Sequence, residues 1–114
     1  MNNDYLNAAK AAAAAADDKF GGDVVILDIS SISVIADYFV IISGNNPSQI
    51  SAIADACEEA VVLAGLSLKH KEGKQDSSWL LLDFGAVIVH IFKKEDRDFY
   101  DLERIWGDAM VVTY

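Results

Sequence analysis

Few side chains in this sequence of 114 residues are of a kind that could carry catalysis. The two histidines are His70, which lies between two lysines, and His90, which lies within an apolar run. A lone histidine in such a run is more often a packed or interface residue than a general base, and one between lysines is usually solvated. Cys57, the single cysteine, falls on an apolar helical stripe and is expected to fill space in the core. The sequence therefore offers no nucleophile–base pair and does not predict catalysis.

A phosphate-binding turn is suggested by Ser43-Gly44, which follows a strand-like run of apolar residues. A P-loop requires a lysine after its second glycine, and a dinucleotide-binding fingerprint requires three spaced glycines. Neither pattern is present in the sequence. Backbone amides before the helix that starts at Pro47 could hold an anion, but a strand-to-helix turn with a polar cap also explains these residues. No cofactor and no cofactor-binding residue are predicted.

Metal sites are also disfavoured. A single cysteine excludes an intrachain disulfide and a zinc cage built from several cysteines. A two-metal site for phosphoryl transfer requires carboxylates that converge within a few ångström. Asp83 is the only acid in its predicted strand, and Asp96 and Asp98 have the Asp-x-Asp spacing but fall in a charged turn, where solvation is the default. No metal ligand is predicted.

The feature that points to function is the placement of large aromatic residues beside acids. Trp79, Leu81 and Asp83 alternate with two leucines in a predicted strand, so the two sets face opposite sides of the sheet. If Leu80 and Leu82 fill the core, Trp79 and Leu81 lie on the less covered face. Tryptophan and tyrosine are favoured as interface anchors, and acids steer association toward a basic partner.

A second group of aromatic residues lies within residues 97–106. It consists of Phe99, Tyr100 and Trp106, with Asp98, Asp101 and Glu103 around them. Tyr100 is out of phase with the helical stripe through Leu102 and Trp106, so it is predicted to be exposed. The alternative is that Trp79, Phe99 and Trp106 are ordinary core aromatics, and it is equally compatible with the sequence for each residue taken singly.

The elements that must position these residues follow the order α, β, β, α, β, β, β, α. The predicted helices span residues 3–19, 47–64 and 98–109, and the predicted strands span residues 24–29, 37–43, 66–71, 79–83 and 87–92. The first helix is rich in alanine and has a thin apolar face, so it is expected to pack lightly. Gly21 and Gly22 are predicted to end that helix, and the central helix is predicted to begin at Asn46-Pro47 and stop at Gly65.

The remaining patterns complete the predicted fold. The central helix has one apolar stripe at helical spacing, formed by Ile50, Ile53, Ala54, Cys57, Val61 and Ala64. The short connection 84–86 predicts an antiparallel hairpin, residues 72–77 read as a polar loop, and the tail 110–114 is apolar enough to fold back on the sheet. We predict a single α/β domain over residues 1–114, with an alanine-rich helix in residues 1–20. Its mixed sheet has about five strands flanked by helices.

Composition and charge limit the class of function. Hydrophobic residues make up 53% of the chain and charged residues 24%, as in a folded globular domain. The formal net charge of −9 disfavours a non-specific DNA or RNA clamp, which needs clustered lysine and arginine, and allows a basic protein partner. No stretch matches a membrane span, a signal peptide or a transit peptide, so no membrane association is expected. The single cysteine fits a reducing compartment, and the expected location is the cytoplasm.

Three stretches together resemble one family. They are residues 36–44 (ADYFVIISG), residues 79–85 (WLLLDFG) running on to 89–92 (VHIF), and residues 97–109 (RDFYDLERIWGDA). In order and spacing they are similar to the ribosomal silencing factors, also called the Iojap-like family. The resemblance covers roughly residues 23–109, nearly the whole chain.

The resemblance implies both a fold and a function. The family's fold is a mixed sheet flanked by helices, similar to the palm of nucleotidyltransferases, and the family is not known for transferase activity. Its members bind the large ribosomal subunit through the fourteenth large-subunit protein, block joining of the small subunit and dampen translation when nutrients are scarce. The alternatives are a large-subunit assembly factor and a nucleotidyltransferase-like enzyme. A homodimer and contact with ribosomal RNA are left open.

The resemblance also implies a contact surface. Carried over by motif, the partner-binding residues are Trp79, Leu81, Asp83, His90, Phe99, Tyr100, Asp101 and Glu103. One departure from the family pattern lies after the hairpin glycine, where this chain has Ala86 and the family usually has an acid. If that acid contacts the partner, this protein binds less tightly or depends more on Asp83. If it only shapes the turn, little changes.

Overall fold

Two strands that are buried on both faces form the centre of a mixed sheet. The computed structural model describes residues 2–73 and 78–114, apart from the side chains of residues 2, 3 and 99. Its helices and strands, in chain order, are α1 (Asn2–Asp18), β1 (Gly22–Asp28), β2 (Tyr38–Gly44), α2 (Pro47–Leu63), β3 (His70–Glu72), β4 (Trp79–Asp83), β5 (Val87–Lys93), α3 (Arg97–Tyr100), α4 (Leu102–Ile105) and β6 (Met110–Val112). A single 3-10 turn, Lys94–Asp96, connects β5 to α3.

The sheet of the described residues has six strands in the order β3-β4-β5-β2-β1-β6. The central pair, β2 and β5, is parallel, and the other neighbouring strands pair antiparallel. Every residue of β2 is buried, as its unbroken apolar sequence predicts for a strand covered on both faces. The predicted α/β class and mixed sheet are confirmed. The sixth strand arises because the apolar tail pairs with β1, with Met110 opposite Asp28.

Helices cover one face of the sheet, and shorter segments cover the other face only in part. The helices α1 and α2 pack on the first face, where Val40 and Val89 belong to the larger core. The second face has a smaller core that includes Phe39, Phe92 and Leu102, and several of its surrounding apolar side chains are half-buried. Three of the residues predicted to contact a partner, Trp79, Leu81 and Tyr100, pack against this smaller core.

The alanine-rich helix α1 packs closely on the body of the protein, so the expectation of light packing is wrong. Five alanines are completely buried: Ala8, Ala9, Ala12, Ala13 and Ala16. Small side chains let the helix approach its neighbours closely, and the Cys57 thiol of α2 donates a hydrogen bond to the Ala12 carbonyl oxygen at 3.4 Å. The core role of α1 therefore comes from the regular spacing of small residues rather than from large apolar ones.

The end of α1 also differs from the prediction. Phe20, not a glycine, adopts the left-handed conformation after the helix, with φ 62°. Gly21 is required for close packing instead, because a Cβ atom there would lie 2.9 Å from Cγ2 of Ile42. The chain can then enter β1 directly beside β2.

The central helix α2 confirms the prediction from its caps and periodicity. Asn46 accepts a hydrogen bond from the Gln49 backbone N–H at 2.9 Å, and Pro47 is the first helical residue. Gly65 follows the helix with φ 106°, a conformation that glycine adopts at low cost. Five of the six predicted stripe residues are buried, and Ala64 at the helix end is half-buried.

Two predicted elements take a different form in the structure. The predicted last helix is instead two single turns, α3 and α4, separated by Asp101, which is left-handed with φ 50° and ψ 49°. Aspartate is one of the few residue types that enter this conformation readily. The predicted edge strand 66–71 is reduced to β3, because Leu66 and Leu68 pack on the larger core outside a strand. Residues 74–77 of the predicted loop lie outside the described residues.

A buried arginine ties the C-terminal segment to the sheet. Arg97, which is 6% exposed, donates from Nη1 to Ser43 Oγ at 2.9 Å and to the Gly22 carbonyl oxygen at 3.4 Å. Its Nε and Nη2 donate to the two carboxylate oxygens of Glu103 at 3.2 and 3.0 Å. Ser43 is thus an acceptor for Arg97, and Gly44 is required because a Cβ atom would lie 2.5 Å from Cγ1 of Ile50. These contacts give Ser43-Gly44 a structural role.

Replacing Ala12 by leucine tests the close packing of α1. We expect Ala12→Leu to lower the free energy of unfolding by about 1–3 kcal/mol, because Ala12 is completely buried in the larger core and the added atoms overpack it. The matched control is Ala14→Leu on the exposed side of the same helix, which should change stability by about 0.5 kcal/mol or less. Urea unfolding of both variants measures the difference, and equal stability would contradict close packing.

Replacing Arg97 by methionine tests the tie between the C-terminal segment and the sheet. We expect a loss of about 1–3 kcal/mol in the free energy of unfolding, because Ser43 loses its donor and Glu103 loses its ion-pair partner. Arg104→Met, at an exposed position of α4, is the control and should leave stability nearly unchanged. Near-UV circular dichroism should change only in Arg97→Met. An unaltered spectrum in that variant would show that other contacts hold the segment.

Candidate functional site

The alternation of side chains along β4 creates the candidate site. Leu80 and Leu82 point into the larger core and are almost fully buried, whereas Trp79 and Leu81 lie on the second face and are half-buried. This is the arrangement predicted from the strand's period of two. On that face, β3 places Glu72 opposite Leu81, and β5 places His90 opposite the same residue on its other side.

Trp79 is packed by aromatic rings and hydrogen-bonded through its indole. Its ring centroid lies 5.2 Å from that of Phe92 and 4.8 Å from that of Tyr100. Its Nε1–H donates to Nδ1 of His90 at 3.0 Å. Tryptophan gains from such an arrangement because its large apolar surface is covered while its one polar group keeps a partner. The side chain is therefore fixed in place although it remains half-exposed.

His90 lies beneath Trp79 and is only 3% exposed. Its ring packs edge-to-face with Phe39, with centroids 4.5 Å apart. Burial lowers the pKa of His90 from 6.5 to about 4, so the imidazole is neutral near pH 7. Because Nδ1 accepts from Trp79, the proton of the neutral ring is on Nε2, and Nε2 has no hydrogen-bond partner among the described residues. An unmatched buried donor of this kind costs about 1–3 kcal/mol.

Tyr100 is half-buried, so the prediction that it is exposed is wrong. Its ring centroid lies 5.4 Å from that of Phe92, in addition to its contact with Trp79. Helical periodicity does not predict the exposure of Tyr100, because the helix breaks at Asp101. Residues on the two sides of this break do not share one helical stripe. Trp106 is half-buried as well and packs edge-to-face with Phe39, with centroids 5.3 Å apart. The Phe99 side chain lies outside the described part of the chain.

The acids at the site have different structural roles. Asp83 accepts a hydrogen bond from the Gly85 backbone N–H at 2.7 Å, which stabilises the turn between β4 and β5. Glu103 forms the ion pair with Arg97, while its side chain remains 40% exposed. Asp101 is half-buried, and its backbone N–H donates to the Arg97 carbonyl oxygen at 2.9 Å. Each of these acids therefore lies near the surface on an ordered backbone.

The structure brings most of the predicted contact residues into one place. We call the group Trp79, Leu81, Asp83, Tyr100 and Asp101 the Trp79 surface. Three of its members lie on β4, and the other two lie at the end of α3. The contact between the Trp79 and Tyr100 rings joins the two parts. His90 lies under this surface rather than on it. Glu103 joins the same segment but faces Arg97.

Sequence reasoning missed several residues that support the site. Phe92 and Phe39 back the aromatic rings, and Arg97 holds the segment that carries Tyr100. The period of two in β5, which puts Phe92 on the same face as His90, could have identified the first of these. No local pattern could have identified Ser43 as a partner of Arg97, because the two residues are distant in sequence.

The described residues contain no group of three or more His, Cys, Asp or Glu side chains placed to hold a metal ion. An open cleft of about 580 Å³ lies beside Arg97 and is lined by both acids and bases, including Asp23, Lys94 and Glu103. Within the same described ranges, no helix is both long and apolar enough to span a membrane.

Comparison with known proteins identifies a family and several relatives of this chain. The family model described as "Ribosomal silencing factor during starvation" matches residues 2–113. Ribosomal silencing factor RsfS of Bacillus subtilis is 45% identical over 100 residues, which cover 88% of this chain and 85% of the relative. The chloroplastic protein Iojap of Arabidopsis thaliana is 32% identical over 103 residues, which cover 85% of this chain and 40% of that longer protein.

Solved structures show the same fold. A crystal structure of a protein from Chromobacterium violaceum has a TM-score of 0.83 at 31% identity, with 90% of this chain and 85% of that chain covered. A crystal structure from Bacillus halodurans has a TM-score of 0.77 at 36% identity, with 92% and 95% covered. The chain belongs to the ribosomal silencing factor family, which includes the Iojap proteins and acts in ribosome-associated regulation of translation.

Proposed function

We propose that this protein binds the large ribosomal subunit through its fourteenth ribosomal protein and blocks joining of the small subunit. It would thereby lower translation when nutrients are limited. Family membership supports this proposal, since the matching family model and the bacterial relatives are described as ribosomal silencing factors. The cytoplasm, where ribosomal subunits join, is the proposed place of action.

The observation that carries the proposal is the Trp79 surface. It combines a half-buried tryptophan and tyrosine, which are favoured interface anchors, with Leu81 and two acids at its edges. The rings are packed against one another before any partner binds, so little conformational freedom remains to be lost. The proposed contact residues are these five, with Glu103 and Phe99 on the adjoining segment.

The net charge favours a protein target on a particle made largely of RNA. The chain carries −9, so exposed phosphate groups repel it and a basic protein patch attracts it. Asp83 and Asp101 lie at the surface where this attraction would act. Charge therefore selects against binding to bare ribosomal RNA while it favours a basic ribosomal protein.

The proposed mechanism is steric. The folded chain measures 35 × 30 × 24 Å, which is large enough to exclude a contact between two subunits on the joining face. Such a mechanism needs no turnover, and the degree of silencing follows from affinity and concentration alone.

A binding assay with the purified fourteenth large-subunit protein tests the proposed surface. We expect Trp79→Ala and Asp101→Lys each to weaken binding by about tenfold or more, because one removes a buried anchor and the other reverses a steering charge. The control is Asp55→Lys, which makes the same charge change at an exposed position of α2 on the opposite face of the sheet. Equal weakening by the control would show that overall charge, not the Trp79 surface, governs binding.

A subunit-joining assay with mature subunits tests the silencing role. The protein should co-sediment with free large subunits and reduce the formation of joined ribosomes, and Trp79→Ala should lose both effects in parallel. Equal co-sedimentation with joined ribosomes would count against silencing. Binding without any effect on joining would instead favour a role in assembly of the large subunit.

A further inference from the structure

Trp79 is held by a histidine that a partner cannot reach. His90 is 3% exposed, and its Nδ1 accepts the only polar hydrogen of the Trp79 side chain at 3.0 Å. The two residues lie on neighbouring strands, where Trp79 is opposite Phe92, two residues along β5 from His90. The hydrogen bond therefore runs diagonally across the two strands beneath the half-exposed indole.

His90 lowers the stability of the fold in a way that an apolar residue would not. With Nδ1 occupied by Trp79, the ring's own proton lies on Nε2, and that atom has no hydrogen-bond partner among the described residues. A leucine or phenylalanine at this position would fill space without leaving a buried donor unmatched. Such a residue could not accept the indole N–H. The histidine thus supplies an acceptor rather than mere packing.

The neighbouring aromatic rings restrict the tilt of the Trp79 and His90 rings, but they cannot replace the Nδ1 acceptor. Phe39 packs edge-to-face on His90 at 4.5 Å, and Phe92 packs on Trp79 at 5.2 Å. Phenylalanine rings restrict tilt but accept N–H groups only weakly. Tyr100 and Phe92 cover the indole, and the hydrogen bond to Nδ1 of His90 is the contact that gives its N–H a defined direction.

We propose that His90 is a positioning residue that fixes the orientation in which Trp79 is presented to the partner. This inference rests on the proposed function, in which Trp79 is a contact residue. A side chain that is ordered before binding loses less conformational freedom when the complex forms. His90 contributes to affinity through Trp79 and without touching the partner.

Two nearly isosteric substitutions separate the acceptor from the packing. In His90→Asn, the side-chain oxygen replaces the Nδ1 acceptor, whereas His90→Leu has a similar shape and no acceptor. Trp79 can be observed directly by NMR, because the chain has two tryptophans and the variant Trp106→Phe assigns the second indole resonance. We expect the Trp79 indole N–H to be protected from hydrogen exchange in the wild type and in His90→Asn, and to exchange freely in His90→Leu.

Affinity for the fourteenth large-subunit protein should follow the same order. His90→Leu should bind about fivefold to tenfold more weakly, while His90→Asn should stay close to the wild type. Urea unfolding of both variants, with binding measured well below the transition, ensures that folded protein is compared. Equal loss in both variants would overturn the proposal, because the acceptor would then be irrelevant. Equal retention in both, or a freely exchanging Trp79 indole in the wild type, would overturn it as well.

The proposed function and the positioning role fail in different ways. If Trp79→Ala binds as tightly as the wild type, the contact surface itself lies elsewhere. If Trp79→Ala weakens binding and His90→Leu does not, only the positioning role is wrong. The hydrogen-exchange measurement requires no partner, so it tests the hydrogen bond between Trp79 and His90 whether or not the proposed function is right.

Discussion

The buried guanidinium of Arg97 is the interaction on which the arrangement of the second face depends. It connects Ser43 on β2 with Glu103 on the C-terminal segment and also reaches the Gly22 carbonyl oxygen at the start of β1. A charged group is stable at this depth because the carboxylate and the two oxygens take up its donors in fixed directions. Since Tyr100 follows Arg97 by one helical turn, the same contacts place its ring against Trp79. The Trp79 surface therefore combines distant parts of the chain, and Arg97 holds the part that carries Tyr100 against the sheet.

Different elements cover the two faces of the sheet, and this difference leaves Trp79 and Leu81 only partly buried. Long helices cover the first face, where fully buried alanines such as Ala12 allow α1 to pack closely. Two single helical turns and a loop cover the second face, and they are too short to bury Trp79 and Leu81 completely. Apolar groups that a fold orders but does not bury are favourable for association, because their ordering has already been achieved.

The parts of the fold that could be predicted are those governed by local physics. The caps and stripe of α2 and the alternation of β4 follow from hydrogen bonding and side-chain periodicity within a few residues. The close packing of α1, the pairing of β6 with β1 and the contact of Arg97 with Ser43 depend on residues distant in sequence, so no local pattern contains them. The break at Asp101 could be predicted only in part, since aspartate permits the left-handed conformation without requiring it. The face of β4 on which Trp79 and Leu81 lie follows from the strand's alternation, whereas the exposure of Tyr100 depends on that break and could not be predicted from helical periodicity.

Burial fixes the protonation of Cys57 and His90, two residues of types that are often chemically active in proteins. Desolvation raises the pKa of the Cys57 thiol to about 12 and lowers that of His90 to about 4, so near neutral pH both are uncharged. Asp83 and Glu103 lie nearer the surface, where they hold a turn and an arginine while retaining access to solvent. Among the described residues, Arg97 is the buried group that carries a charge, and Glu103 pairs with it. A protein arranged in this way presents a fixed shape with a fixed sign of charge, which is what discrimination between a basic protein patch and surrounding phosphate requires.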